Sequence, residues 1–204
     1  MDSTRIAQLE TSTEARIGDT GAMGLFGFCV GTTVVAWVFC GWTALPGSLI
    51  AAVPALLIFA GIGQFVAGLY AFNRTHAWAG TAMCAYGANN AIVAMYIWLQ
   101  TGGMLPATHG NSLLMSIDLF CMGYISLALT IGALRLNAVY ALTTLMLVFG
   151  YTLVGLQFQG SNRELGLLGG YFLLAASFFA FYAATANVIN SSWRREVLPL
   201  FSRS

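Results

Sequence analysis

The sequence contains few charged residues and no lysine. Asp, Glu, Lys and Arg make up 7% of the 204 residues, whereas a typical globular domain has about a quarter. The eight basic residues are all arginines and the formal net charge is +1, which argues against nucleic acid as a partner because phosphate recognition needs a concentrated basic face. Hydrophobic residues make up 58% of the chain. This composition excludes a disordered chain or a soluble enzyme and predicts an integral membrane protein of one domain.

Long stretches of the chain carry no charge at all. No Asp, Glu, Lys or Arg occurs in residues 20–73, and between Arg74 and Arg135 the only one is Asp118. Two further uncharged stretches follow at residues 136–162 and 165–193. About 20 helical residues cross a bilayer core that is about 30 Å thick. The first two stretches are therefore long enough for two crossings each.

Glycine and proline mark the places where these two stretches fold back. They cluster at residues 41–48 and again at residues 101–112. Helices are favoured over a membrane barrel because the apolar runs are continuous and do not alternate. The predicted fold class is all-α, a polytopic membrane protein with a bundle of six transmembrane helices. The predicted spans are residues 22–41, 49–72, 77–99, 113–134, 138–157 and 166–190.

The arginines predict how the bundle is oriented. With six spans, both termini share a side with the connections at Arg74 and Arg135, and that side holds seven of the eight arginines. The other side holds only Arg163. The positive-inside rule then puts both termini in the cytoplasm, below a plasma or inner membrane. The predicted organisation is a cytoplasmic tail at residues 1–19, a transmembrane domain at residues 20–192 and a cytoplasmic tail at residues 193–204.

Small residues inside the spans indicate close helix packing, because they let helix backbones approach in a membrane. Gly24, Gly27 and Gly31 share one face of the first span. The sixth span has a similar stripe at Gly169, Ala176, Ala180 and Ala183. The four cysteines have no metal-ligand spacing and are interpreted as packing residues: Cys29, Cys40, Cys84 and Cys121. The sequence contains no arrangement of catalytic residues and predicts neither a cofactor nor a metal.

Polar side chains inside the spans need a partner or water. Tyr86, Asn89 and Asn90 are spaced three and four apart and project from one side of the third helix. The remaining polar positions include Thr32, Thr33, Gln64, Thr143, Thr144 and Asn187. Each could bond a neighbouring helix or line a pathway for a polar solute. Several such groups in a chain without a soluble domain favour a pathway, and hence a transporter or channel.

Asp118 is the only acidic residue inside a predicted span. Ionisable groups at membrane depth are costly and point to function, so one interpretation is a proton relay or a residue at a pore mouth. The other is an interfacial Asp about a turn and a half from the start of the fourth helix, where headgroup water can reach it and the helix dipole favours a negative charge. Both remain open from the residues alone.

Four segments resemble the acetate uptake transporter family, small six-span membrane proteins that move acetate and related short monocarboxylates. They occur in the family's order and spacing from about residue 19 to residue 200. The segments are GLFGF at residues 24–28, GIGQFVAG at 61–68, GTAMCAYG at 80–87, and Tyr182-Ala183-Ala184 through Asn187-Val188-Ile189-Asn190 to Val197-Leu198-Pro199.

The resemblance implies a homo-hexamer in which each protomer has its own pathway. It also implies a constriction built from a Phe, a Tyr and a Leu. Phe28 and Tyr86 match the first two, and the Leu is matched to Leu145 in the fifth span, with a slip of a few residues allowed. Gln64 matches the family's Gln along the same route.

The chain departs from the family at several positions. The signature Asn-Pro-Ala-Pro-Leu-Gly-Leu is reduced here to its closing Gly-Leu. Ala71 and Asn187 stand where the family has Glu, and Asn89 and Asn90 stand where it tends to have aromatic residues. Two titratable groups are replaced and two amides are added, which weakens carboxylate-driven proton coupling and allows a neutral solute.

The leading functional hypothesis is a transporter or channel for acetate and similar short monocarboxylates, with proton linkage as an option. A bare carboxylate in hydrocarbon costs several kcal/mol. The solute must therefore cross protonated or bonded to neutral donors, such as the Tyr86 hydroxyl and the amides of Asn89, Asn90 and Gln64. The candidate solute-binding residues are Gln64, Asn89, Asn90, Thr32 and Asn187. One alternative, suggested by the amides, is a channel for a small neutral solute such as urea, a short amide or ammonia. The other is a membrane scaffold or sensor that transports nothing.

Overall fold

Six helices make up nearly all of the chain that the structure, a computed structural model, describes: residues 20–43, 49–160 and 162–202. These described residues form no strand beyond one isolated bridge between Asn137 and Ser202. The all-α fold class is therefore confirmed. The helices are α1 (Gly21–Phe39), α2 (Leu49–Asn73), α3 (Ala77–Thr101), α4 (His109–Ala133), α5 (Ala138–Gly160) and α6 (Arg163–Trp193).

Five of the six helices are long and apolar enough to cross a membrane, with mean hydropathies between 1.8 and 2.2. These five are α1, α2, α4, α5 and α6. Helix α3 has 25 residues, but it is less apolar because it carries polar side chains such as Asn89 and Asn90. The chain is a multi-pass helical membrane protein. The predicted count of six spans is supported for five helices and stays a prediction for α3.

The helix ends agree with the predicted spans to within a few residues, and the largest difference is at the start of α4. This helix begins at His109, not at residue 113, because Thr108 Oγ1 accepts a hydrogen bond from Asn111 N at 3.3 Å and caps it. Asp118 therefore lies about 13 Å along the helix from its first residue, at about 1.5 Å per residue. That is deeper than the turn and a half predicted from the sequence.

Helix α2 changes its winding midway. It is α-helical over Leu49–Pro54, π-helical over Ala55–Gly63 and α-helical again over Gln64–Asn73. Pro54 lacks a backbone N–H, so one hydrogen bond of the regular α-helical pattern is missing at this point. Such π-helical segments occur often at functional sites, and this one ends at the buried Gln64.

The helices form a ring in which neighbours along the chain also pack together, and α6 closes the ring against α1. Within the described residues, the loosest contact between ring neighbours is that of α3 with α4. The small-residue stripes pack as predicted: a Cβ on Gly27 would lie 2.9 Å from the Phe59 carbonyl oxygen, and one on Gly169 would lie 2.8 Å from Val154 Cγ2. Among the cysteines, Cys29 and Cys40 are buried but Cys121 is exposed, so the packing interpretation is wrong for Cys121.

The segment after α6 folds back onto the bundle. The Tyr182 hydroxyl donates to the Pro199 carbonyl at 2.7 Å. Asn190 Oδ1 accepts from the backbone N–H groups of Val197 at 2.7 Å and Leu198 at 2.9 Å. These contacts join the separated pieces of the fourth sequence motif. The N-terminal tail predicted at residues 1–19 lies outside the described residues.

Candidate solute pathway

Two cavities lie one after the other inside the helix ring. The first has a volume of about 530 Å³ and the second of about 290 Å³. Along α1, the lining changes from the first cavity to the second between Phe28 and Thr32. Along α3 it changes between Tyr86 and Asn89. The two cavities are thus stacked along the helix axes and meet at one level of the bundle.

Three apolar or aromatic side chains occupy that level, and together we call Phe28, Tyr86 and Leu147 the partition. The rings of Phe28 and Tyr86 lie 5.4 Å apart between centroids, at an interplanar angle of 47°. The exposed fractions are 3% for Phe28, 4% for Tyr86 and 0% for Leu147, and all three belong to one core cluster. The partition is therefore a packed layer between the cavities.

The leucine of this layer is Leu147, and the predicted Leu145 lies elsewhere. On α5, Thr144 lines the first cavity and Tyr151 lines the second. Leu147 is three residues after Thr144 and four before Tyr151, so it shares their helix face and falls between the cavities. Leu145 is half-buried and is not among the lining residues of either cavity. The structure brings Phe28 and Tyr86 together, but not Leu145 with them.

The Tyr86 hydroxyl is held by α4. It donates to Ser126 Oγ at 3.0 Å, and Ser126 Oγ in turn donates to the Met122 carbonyl at 2.8 Å. Ser126 is fully buried. Tyr86 therefore contributes its ring to the partition, and its hydroxyl hydrogen is engaged in the hydrogen bond to Ser126. This differs from the sequence hypothesis, in which the Tyr86 hydroxyl donates to the solute.

The predicted amides lie next to the partition. Asn90 Nδ2 donates to Gln64 Oε1 at 3.2 Å, which links α3 to the end of the π-helical segment. Asn89 Nδ2 donates to the Tyr151 hydroxyl at 3.3 Å. All four side chains are buried. Gln64 lines the first cavity, whereas the other three line the second, so the amides flank the partition on both sides.

The two remaining candidate binding residues lie in different cavities. Thr32 is buried and lines the second cavity. Asn187 lines the first, where its Nδ2 donates to the Tyr140 hydroxyl at 3.0 Å. The Tyr140 ring stacks on Trp78 with 5.2 Å between centroids. Asn187 is therefore part of a polar and aromatic wall of the first cavity, which Gln64 also lines.

Asp118 is half-buried and lines neither cavity. Its Oδ2 is buried and has no hydrogen-bond partner among the described residues. Met115 and Leu119, on the same helix, do line the second cavity. Asp118 thus lies just behind the cavity wall.

The structure adds Leu147, Tyr151 and Ser126 to the site, all of which the sequence analysis missed. A signal for the first two was present, because Tyr140, Thr144, Leu147 and Tyr151 recur at helical spacing on one face of α5. Ser126 carried no such signal, since nothing in its own segment indicates that Tyr86 lies opposite.

The described residues contain no group of three or more His, Cys, Asp or Glu side chains that could hold a metal ion. The polar side chains around the cavities are mostly amides and hydroxyls, with His76 and Trp78 in the wall of the first cavity. Such groups can form hydrogen bonds with a small solute. They are therefore suited to recognising a small polar solute and letting it pass.

Comparisons with known proteins agree with this architecture. The succinate-acetate/proton symporter SatP of Escherichia coli K12 is 23% identical over 185 residues, which cover 91% of this chain and 96% of the relative. The protein of the same name from Shigella flexneri matches equally well. A solved structure of the bacterial acetate channel SatP has the same fold, with a TM-score of 0.83 at 23% identity over 91% of this chain and 99% of that one.

The family comparison covers nearly the whole sequence. The GPR1/FUN34/yaaH family matches residues 3–201. Together with the SatP relatives, this match confirms the family resemblance drawn from the four sequence segments. This chain belongs to the GPR1/FUN34/yaaH family.

Proposed function

We propose that this protein is a membrane transporter or channel for acetate and similar short monocarboxylates. The observation that carries the proposal is the pair of cavities stacked within a single chain and separated by the partition. The relatives named as an acetate channel and as a succinate-acetate/proton symporter support the choice of solute. The protein binds and passes its solute and is not an enzyme.

All six helices cross the membrane in this proposal. Helix α3 spans it because its 25 residues match the length of its neighbours and because its two amides, Asn89 and Asn90, are buried and line the second cavity. Residues 20–192 form the transmembrane domain. Both termini lie in the cytoplasm below a plasma or inner membrane, with tails at residues 1–19 and 193–204, because the arginines concentrate on that side.

The solute passes the partition by displacing it slightly. Phe28, Tyr86 and Leu147 exclude hydrated ions, since water must be shed to enter so apolar a layer. Leu147 takes the role first assigned to Leu145, because it lies on the face of α5 that carries Thr144 and Tyr151. The solute-binding side chains on either side are Gln64, Asn89, Asn90, Thr32 and Asn187.

Asp118 serves as a proton relay beside the pathway. Its buried Oδ2 lacks a partner among the described residues, so an uncharged carboxyl costs less there than an unpaired carboxylate. The residue lies behind the wall of the second cavity, where it can take up a proton that travels with the solute. Proton-linked uptake would follow from this arrangement.

The protein assembles as a homo-hexamer in the bilayer, with one pathway in each protomer. Large apolar side chains cover the outer faces of the helices and would contact lipid or a neighbouring protomer. Exposed examples are Ile58, Ile62, Tyr124, Ile131 and Phe178. Because each chain contains both cavities, assembly is not needed to complete the pathway.

The test is uptake of radiolabelled acetate by counterflow into proteoliposomes, with urea and longer carboxylates as competitors and empty liposomes as the blank. We expect protein-dependent acetate uptake that short carboxylates inhibit. The Phe28→Ala variant should raise flux or admit larger carboxylates, whereas Phe178→Ala, at a 70% exposed position, should not. Absence of any flux would contradict the proposal and favour a scaffold or sensor, and inhibition by urea alone would favour a neutral solute.

A further inference from the structure

The second cavity contains an amide that the protein satisfies only in part. Asn89 lines this cavity and is 3% exposed. Its Nδ2 donates to the Tyr151 hydroxyl at 3.3 Å, but its Oδ1 is buried and has no hydrogen-bond partner among the described residues. Leaving a buried acceptor without a donor is unfavourable, so most such groups in native proteins are satisfied. The missing donor points to a ligand.

Tyr151 provides the complementary group beside this oxygen. Its hydroxyl oxygen accepts from Asn89, and its own hydrogen has no acceptor among the described residues. The Tyr151 ring is stacked on Tyr86 with 6.3 Å between centroids, which holds the hydroxyl in place. Asn89 and Tyr151 therefore offer one acceptor and one donor side by side at the inner end of the second cavity.

On the basis of the proposed function, we propose that Asn89 and Tyr151 form a binding site for a small acyl group in its neutral, hydrogen-donating form. Asn89 Oδ1 accepts from the O–H of an undissociated carboxylic acid or the N–H of a primary amide. The Tyr151 hydroxyl donates to the carbonyl of the same group. Solute selection at this end of the pathway therefore depends on a donor that the solute itself carries.

A carboxylate anion fits this pair poorly. It presents only acceptors, so one of its oxygens would face Asn89 Oδ1 with the same sign of partial charge. No arginine is among the described residues that line the second cavity, so no positive side chain offsets that repulsion. The anion would also lose its hydration on entering an apolar cavity.

The neighbouring amide pair adds to this preference. Because Asn90 Nδ2 is used by Gln64 Oε1, the hydrogen-bonding capacity that Asn90 keeps for the second cavity includes its acceptor Oδ1. Gln64 keeps its donor Nε2 for the first cavity. Asn90 Oδ1 is thus a second acceptor at the inner end of the second cavity for a solute that carries a donor.

Ionisable side chains surround the site on several helices. Those of the described residues on α1, α3, α4 and α5 are Cys29, Tyr86, Tyr96, Asp118 and Tyr151. Thiols and phenols are ordinarily neutral between about pH 5 and about pH 7. Asp118 is the one carboxyl of this set, so Asp118→Asn is the control in any experiment that varies pH.

The first test compares acetamide with acetone, two molecules of nearly the same shape and size. Acetamide carries a carbonyl and an N–H donor, whereas acetone carries only the carbonyl. Binding to the purified full-length protein is measured by saturation-transfer difference NMR. We expect acetone to bind about tenfold more weakly, because it leaves Asn89 Oδ1 without a donor. Equal binding of the two probes by the unmodified protein would overturn the site.

Two variants test whether Asn89 and Tyr151 cause the difference in binding between acetamide and acetone. Asn89→Leu removes the acceptor at similar side-chain size and should abolish the tenfold difference between acetamide and acetone. Tyr151→Phe removes the donor and should weaken both probes, because both carry the carbonyl. Asn73→Leu changes an exposed asparagine at the end of α2 and should behave like the unmodified protein. If both Asn89→Leu and Tyr151→Phe fold and keep the unmodified binding pattern, the site is wrong.

A third comparison distinguishes an acid from an amide as the natural solute. Acetate is titrated at about pH 5 and about pH 7. Binding that falls with the undissociated fraction indicates the acid, and no acetate binding at either pH, with acetamide bound, indicates an amide. Equal acetate binding at both pH values would mean that the anion is recognised and would overturn the proposal. Loss of acetate flux with the acetamide preference intact would contradict only the transport function.

Discussion

The two leucines of α5 provide the sharpest test of where the pathway narrows. Leu147 is fully buried between the cavities, and Leu145 lies two residues away and is half-buried outside them. Both can be changed to alanine, so the substitutions are chemically identical. We expect Leu147→Ala to open the partition and Leu145→Ala to leave it closed.

The expected magnitudes follow from burial and packing. Truncating a buried leucine costs about 2–5 kcal/mol of unfolding free energy in soluble proteins. We expect the low end, about 2 kcal/mol, because lipid reduces the hydrophobic part of the cost. If the wider layer lowers the barrier to solute passage by about 1.4 kcal/mol, flux rises about tenfold.

The assay is uptake of radiolabelled acetate, propionate and butyrate into proteoliposomes at matched protein content, with thermal unfolding measured in detergent. Leu147→Ala should raise butyrate uptake relative to acetate uptake, and Leu145→Ala should match the unmodified protein. Equal effects of the two variants would refute the assignment of Leu147 to the partition. A normal ratio of butyrate to acetate uptake in a folded Leu147→Ala protein would refute the partition as the narrow point.

Two further predictions concern positioning and packing. Ser126→Ala should leave the Tyr86 hydroxyl without its acceptor and cost about 1 kcal/mol of stability. It should also let larger carboxylates pass, which competition for uptake would measure. Unchanged size selectivity in a folded variant would mean that Ser126 does not position Tyr86. Gly87→Ala should lower the unfolding temperature, since its Cβ would lie 2.7 Å from the backbone N of Phe65, and such overpacking costs about 1–3 kcal/mol. Gly110→Ala, which meets nothing within 4 Å, should not lower it, and equal unfolding temperatures for the two variants would contradict the close packing of α2 on α3.

Much of the fold could be predicted from the sequence because its causes are local. The uncharged stretches, with glycine and proline between them, predicted all six helices with bounds within a few residues of those observed. The start of α4 was missed because the capping by Thr108 depends on one side-chain hydrogen bond and leaves no mark in hydropathy. The interpretation of Cys121 was wrong because a single apolar residue does not reveal which way its helix faces.

The candidate site was predictable only in part. Tyr86, Asn89 and Asn90 could be placed on one side of α3 because helical spacing alone puts them there. Choosing Leu147 over Leu145 required the rotation of α5 about its axis relative to α1 and α3. That rotation is set by side-chain packing between helices far apart in sequence, which the family resemblance left uncertain by a few residues.

The sequence by itself determined that this chain enters a membrane, where the six helices of its described residues lie and which polar groups those helices carry. These properties depend on the length and polarity of each segment, and each segment can be judged alone. The tertiary structure decided that the Tyr86 hydroxyl donates its hydrogen bond to Ser126. It also decided that Asn89 Oδ1, beside Tyr151, has no hydrogen-bond partner among the described residues. Hydrogen-bond partners are separated by tens of residues in the chain, so only the packed helices decide which polar groups are left for a solute.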